Sequence, residues 1–339
     1  MTTADPTQLT VARQVDRSDI LFSLARSAES GKLFVGSSDG RIHPMHLDDA
    51  GGEREDDRGA TEAFSGHQGY VMEVLLLDGQ VISGAYDGRM IWWEVESGRQ
   101  IRVVDAHDKW IRAMAVTPDG KTIASVADDM VCRLWSSENG QLLHQLYGHQ
   151  TKTPTDFPSM LFCCAVSTDG QFLATGDKVG HVVIWEIATG QELISIDAPL
   201  MYTWDSKQRI HSIGGIRSLA FSPDDRLIAV GGIGQIGNVD HLGALARVEV
   251  FDWQKGERTH EFAGDTYKGL VEHLEFHPEG HWLMATGGDH DGFIKFFDLE
   301  QSKVIKQEKA PMHVHHAVIG ETSDKIYAVG HGKIVVWQM

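Results

Sequence analysis

The chain has 339 residues and a formal net charge of −18, from 30 Lys and Arg against 48 Asp and Glu, and 42% of it is hydrophobic. That balance argues against the clustered cations that nucleic acid or an anionic membrane demands, and no stretch is apolar over the ~20 residues that span a bilayer. The N-terminus lacks a signal-peptide core, and Cys132, Cys163 and Cys164 have no framework spacing, so a cytoplasmic location with reduced thiols is expected.

In chain order, "QLTVARQV" (8–15) alternates as an orphan strand. "DGRIHPMHLDD" around Met45 then reads as an Asp-Gly turn feeding a strand, and the acidic stretch 48–62 as a solvated loop. The pattern sharpens at "GAYDGRMIWWEVESGR", a turn, a strand through Trp92 and Trp93, and a second turn. It recurs as "DDMVCRLWSSENGQ", "VGHVVIWEIATGQ", "ARVEVFDWQKGE", "DGFIKFFDLEQSK" and "HGKIVVWQM". A second echo, "VTPDGKTIASV", "VSTDGQFLATG", "FSPDDRLIAVG" and "FHPEGHWLMATG", reads as strand, turn, strand.

Aligning Met45, Trp93, Trp135, Trp185, Phe251, Phe297 and Trp337 gives spacings of 48, 42, 50, 66, 46 and 40, hence seven units of about four short strands. Such sheets in series protect their edges when set radially around a channel. The expected fold is all-β, a single seven-bladed β-propeller over 1–339. Its blades are 17–64, 65–105, 106–147, 148–197, 198–263, 264–309, and 310–339 plus 7–16. The seventh unit stops after its third strand, so the strand at 8–15 should complete it and close the ring.

These units resemble the WD-repeat propellers. "GH" stands at Gly66-His67 and Gly148-His149, and the Trp-Asp pair is degraded to Trp93-Glu94, Trp135-Ser136, Trp185-Glu186, Phe251-Asp252 and Phe297-Asp298. The resemblance implies a buried polar chain in which a turn Asp holds His, His holds Ser, and Ser accepts the indole N–H. It matches His67, Ser83, Asp87 and Trp93, and again His107, Ser125, Asp129 and Trp135. In the fourth unit Val179 stands where the Asp belongs, beside His149, Thr175 and Trp185. Units one, five, six and seven are left to apolar packing.

The resemblance also implies a non-enzymatic interaction scaffold that presents a loop-rich rim to a protein or peptide. Three long connections, 150–159, 201–215 and 232–246, fall on one rim, and Tyr202 and Trp204 in the second are anchor-type aromatics. Tyr70 and Trp110 each follow a repeat histidine by three residues and border the channel mouth. No nucleic acid, membrane or cofactor is expected; the propeller would be a monomer able to join a larger complex. The alternative is a propeller enzyme or small-ligand binder with a metal at the mouth. His313 and His315 share a strand face there and His290 sits in a nearby turn, without zinc-type spacing. No nucleophile, P-loop or zinc-protease motif appears.

Overall fold

The computed structural model describes residues 4–47, 62–207, 210–237, 243–264 and 266–339; the acidic stretch read as a solvated loop lies almost wholly outside them. Apart from short 3₁₀ turns such as Pro6–Gln8 and Pro199–Met201, the regular elements among these residues are strands. No helix among them is long and apolar enough to cross a membrane. Two compact units form: Met1–Arg112 with His315–Met339, and Ala113–Val314.

Five sheets are four-stranded and antiparallel, each running in chain order over 71–105, 111–146, 161–197, 216–262 and 270–310. Burial explains which sequence goes where. Second strands such as Thr122–Ala127 and Leu227–Ile233 are buried along nearly their whole length, so they read as continuous apolar or small runs. Fourth strands such as Gln100–Asp105 are half-solvated and alternate. The Asp-Gly turns exist because the chain needs a left-handed residue there. Gly88 has φ +77°, and a side chain on it would collide with the His107 carbonyl.

A sixth sheet has six strands, because the N-terminal strand Thr10–Arg26 serves two neighbours. Its first part pairs antiparallel with Lys325–Gln338 from Thr10↔Gln338 to Ile20↔His331. Its second part pairs with Leu33–Ser37 from Leu21↔Ser37 to Arg26↔Leu33. What reads in sequence as an orphan strand and a separate inner strand is thus one 17-residue element with a register shift between Asp16 and Ile20. The strand Lys325–Gln338 folds back on itself at Gly332 (φ +65°), bringing the Met339 N–H within 2.8 Å of the Asp324 carbonyl.

Two irregularities recur. The inner strands carry an extra residue between Leu21 and Ser23, Val71 and Glu73, Leu161 and Cys163, Ile216 and Ser218, and Val271 and His273. Those bulges re-aim Phe22, Met72, Phe162, Arg217 and Glu272. A second bulge immediately precedes the signature aromatic at Trp93, Trp135, Trp185, Phe251 and Phe297.

Candidate functional site

In the unit Met1–Arg112 with His315–Met339, aromatic side chains from successive sheets touch in a line. Phe22 stacks on Tyr70 at 5.5 Å between centroids, Tyr70 on Tyr86 at 5.4 Å, and Tyr86 on Trp110 at 4.4 Å and 7°. Arg112 closes one end: its guanidinium lies over the Tyr86 and Trp110 rings at 5.0 and 5.2 Å, and it donates to the Tyr86 hydroxyl at 2.6 Å. At the other end His315 meets Phe22 at 5.1 Å and His331 at 4.9 Å. Tyr70, stacked between Phe22 and Tyr86, and Trp110, stacked on Tyr86, remain 45% and 49% exposed. A ring held rigidly by its neighbours and still partly wet loses little entropy on binding. Phe22 and Tyr86 were not singled out by sequence reading. The signal available was Phe22 at the bulge position and Tyr86 immediately before the Asp87-Gly88 turn.

In the unit Ala113–Val314 the three long connections knit together. Residues 201–215 form the hairpin Tyr202–Asp205 with His211–Gly214. Phe157 packs on Trp204 at 5.3 Å, and the Thr155 and Tyr202 hydroxyls lie 3.5 Å apart. From the third connection, Gln235 donates to the Tyr202 carbonyl at 3.1 Å and the Ile236 N–H donates to Thr203 Oγ1 at 2.9 Å. Ile233 and Ile236 bury themselves with Leu270 and Ile213 beneath. Tyr202 and Trp204 are only partly buried.

The histidines named as metal candidates have other contacts. His313 is buried, donating from Nδ1 to the Asp289 carbonyl at 2.8 Å with Nε2 3.6 Å from Glu272. Burial alone would depress its pKa, but Glu272 and Asp289 outweigh it and hold it above the ordinary value. His315 belongs to the aromatic line, and the side chain of His290 is 94% exposed beside Asp289. A group missed in sequence is His277, Glu279 and His281 of "HPEGH", which place one ligand atom each within 4.8 Å of one another. Asp19, Asp39 and His43 form another such group. Burial raises the Asp19 pKa, but hydrogen bonds from Arg17 and Ser37 overcome it and bring it down to about 2.

The buried polar chains are built from the repeat positions. His67 Nε2 lies 2.8 Å from Ser83 Oγ, His67 Nδ1 3.1 Å from Asp87, and the Trp93 indole donates to Ser83 at 2.8 Å. Asp87 resists its own burial through His67 and the Gln68 and Arg89 N–H groups, and its pKa is lowered. Trp135 donates to Ser125 at 2.8 Å, while Asp129 accepts from Val131 and Arg133. The fourth unit departs from the sequence reading, since Val179 does not break its chain. Asp177 reaches His149 Nδ1 at 3.0 Å, His149 Nε2 lies 2.8 Å from Thr175, and Trp185 donates to Thr175 at 2.9 Å. The fifth is not purely apolar either: buried Glu249 accepts from Arg247 at 2.6 Å and Arg258 at 2.9 Å. Cys132, Cys163 and Cys164 are free thiols, and burial pushes the first two far up in pKa.

The WD domain, G-beta repeat family matches residues 98–136, 140–186, 206–235 and 256–298, each within or across the sheets described above. The chain belongs to the WD-repeat family. Its all-β fold of four-stranded antiparallel blades is the β-propeller class. This WD-repeat chain is 33% identical over 167 residues to apoptotic protease-activating factor 1 of Rattus norvegicus, across 49% of this chain and 12% of that protein. Telomerase protein component 1 of Mus musculus is 24% identical over 267 residues, 79% of this chain and 9% of the relative. Eukaryotic translation initiation factor 3 subunit I of Candida albicans is 23% identical over 207 residues, 60% of this chain and 52% of its own length. The matches thus span between 9% and 52% of these relatives.

Proposed function

We propose that this WD-repeat protein is a non-enzymatic scaffold in the cytoplasm that binds a protein or peptide partner through exposed aromatics. The observation that carries the reading is the stacked line Phe22–Tyr70–Tyr86–Trp110, with Tyr70 and Trp110 nearly half exposed. Rigid, amphipathic rings of this kind dominate interface energetics. The hairpin aromatics Tyr202 and Trp204 offer a second anchor of the same chemistry. With a net charge of −18, neither nucleic acid nor an anionic membrane suits the chain as partner. A relative named as a translation initiation factor subunit accords with a monomeric propeller working inside a larger complex.

In this reading the propeller has seven blades. The six-stranded sheet counts as two of them, the last made of Val314–Ile319, the folded-back Lys325–Gln338 and the first part of Thr10–Arg26.

The test is capture of partners from the native host, then affinity and melting temperature of variants against a captured partner. Trp110→Ala and Trp204→Ala should each weaken binding by about 2 kcal/mol with little change in melting temperature. Unchanged affinity in both would contradict the reading.

A further inference from the structure

The turn between the first two strands of the sheet over 270–310 reads His277-Pro278-Glu279-Gly280-His281. Its backbone closes as its counterparts do. The His277 N–H donates to the Trp282 carbonyl at 2.9 Å and the Gly280 N–H to the His277 carbonyl at 2.7 Å, as Thr117 and Gly120 do at 2.9 and 2.8 Å. The side chains differ. In three other sheets a hydroxyl opens the turn and donates to the carboxylate two residues on: Thr117 to Asp119 at 2.7 Å, Ser167 to Asp169 at 2.7 Å and Ser222 to Asp224 at 2.5 Å. Lys121, Gln171 and Arg226 then follow. In the sheet over 270–310 all three positions change together, to His277, Glu279 and His281. The same backbone bonds close the turn in either case, so closure does not call for two imidazoles and a longer acid.

These three side chains converge. Each offers one ligand atom, and the three atoms lie within 4.8 Å of one another. His281 Nε2 is 2.9 Å from Glu279 Oε2, and the His277 and His281 rings are 4.8 Å apart between centroids. His277 is buried, with its ring against Trp282 at 4.9 Å, whereas the Glu279 and His281 side chains are 74% and 48% exposed. One donor is therefore fixed and two are adjustable. A tetrahedral ion bound at ~2.1 Å sets its donors about 3.4 Å apart, a closure that rotation of the two exposed side chains supplies. His277 Nδ1 accepts the Glu279 N–H at 3.1 Å, a neutral hydrogen bond that ligation through this nitrogen exchanges for a metal bond. An exposed Glu–His pair by itself stabilises a fold little.

We propose that His277, Glu279 and His281 bind a divalent transition metal of the zinc class. Two imidazoles and one carboxylate suit zinc or cobalt and not the all-oxygen preference of calcium or magnesium. Three protein donors leave a position for water or for a donor group of another molecule. Glu279 and Gly280 also line a cleft of about 360 Å³ with His260, Phe276 and Leu299, which leaves room beside the turn for that further ligand. The site is independent of the scaffold reading.

The experiment takes the full untagged chain, strips it with EDTA, and titrates it with cobalt chloride followed by visible absorption. One equivalent should develop the d–d bands of a nitrogen–oxygen site, zinc chloride should bleach them, and calcium or magnesium chloride should not. Glu279→Gln and His281→Ala, both at exposed positions, should keep the parent melting temperature and weaken cobalt binding about tenfold or more, since even an outer partner of a metal site is worth that much. His277→Ala should do the same; if it does not fold, the two exposed variants decide. His313→Ala, in a different cluster, should bind cobalt as the parent does. Absence of stoichiometric uptake overturns the proposal. So does uptake unchanged in either exposed variant, or uptake lost in His313→Ala and kept in His281→Ala.

Discussion

Asp177 Oδ2 lies 3.0 Å from His149 Nδ1, although the repeat pattern places its acid two residues later, where this chain has Val179. The same carboxylate accepts the Val179 and His181 N–H groups at 2.9 Å each. It therefore does two jobs, fixing the imidazole and closing the turn. Asp177→Ala should cost about 1–3 kcal/mol by leaving buried donors unsatisfied, and chemical denaturation measures it. Adding Val179→Asp should restore little, because the strand end and not the turn supplies the contact. Full rescue would show that the usual position is equally good.

Burial alone pushes the His273 pKa down to about 4, so the imidazole is neutral in the fold. Because the unfolded chain takes up the proton first, this contribution to stability is complete above about pH 6.5 and is lost as pH falls towards 4. His313 has the opposite sign. Its raised pKa stabilises below the unfolded value and fades as pH rises through the folded one. Melting temperatures from pH 4 to 8 should lose acid sensitivity in His273→Gln and lose part of the alkaline decline in His313→Gln. Identical profiles for both variants and the parent would refute the assignment.

Removing residues 1–16 takes away the pairing partner of Lys325–Gln338 along Thr10 to Asp16, and with it the Asp16–Lys333 ion pair. An unpaired edge of that length invites association. The truncated chain should melt well below the full one and show aggregation in light scattering. A monodisperse product with unchanged melting would mean the pairing contributes nothing.

Gly215→Ala places a Cβ against the Lys178 backbone at a left-handed φ. The expected result is a lifted hairpin, seen as a red-shifted emission of Trp204 relative to a variant lacking only that indole, with a stability loss of about 1 kcal/mol or more. An unaltered spectrum would show that the hairpin is held elsewhere.

The blades were legible because their signals are local: a Gly turn, a buried second strand and an aromatic at fixed spacing. What escaped depends on contacts between distant segments. Tyr86 and Trp110 lie in neighbouring blades, and nothing in either stretch announces a 4.4 Å stack. Asp177 was overlooked because a carboxylate can reach the same imidazole from a strand end or from a turn. Glu249 sits in "ARVEVFD", which reads as an apolar run, and only the opposite strand brings Arg258 to it.

If the protein is a scaffold of the kind proposed, its exposed rings meet the partner. Hydrogen–deuterium exchange of the chain alone and with a captured partner tests it most directly. Exchange should slow around Tyr70, Tyr86 and Trp110 and in the hairpin that carries Tyr202 and Trp204. Protection confined to residues 48–62, with the aromatic segments exchanging as in the free chain, would contradict it.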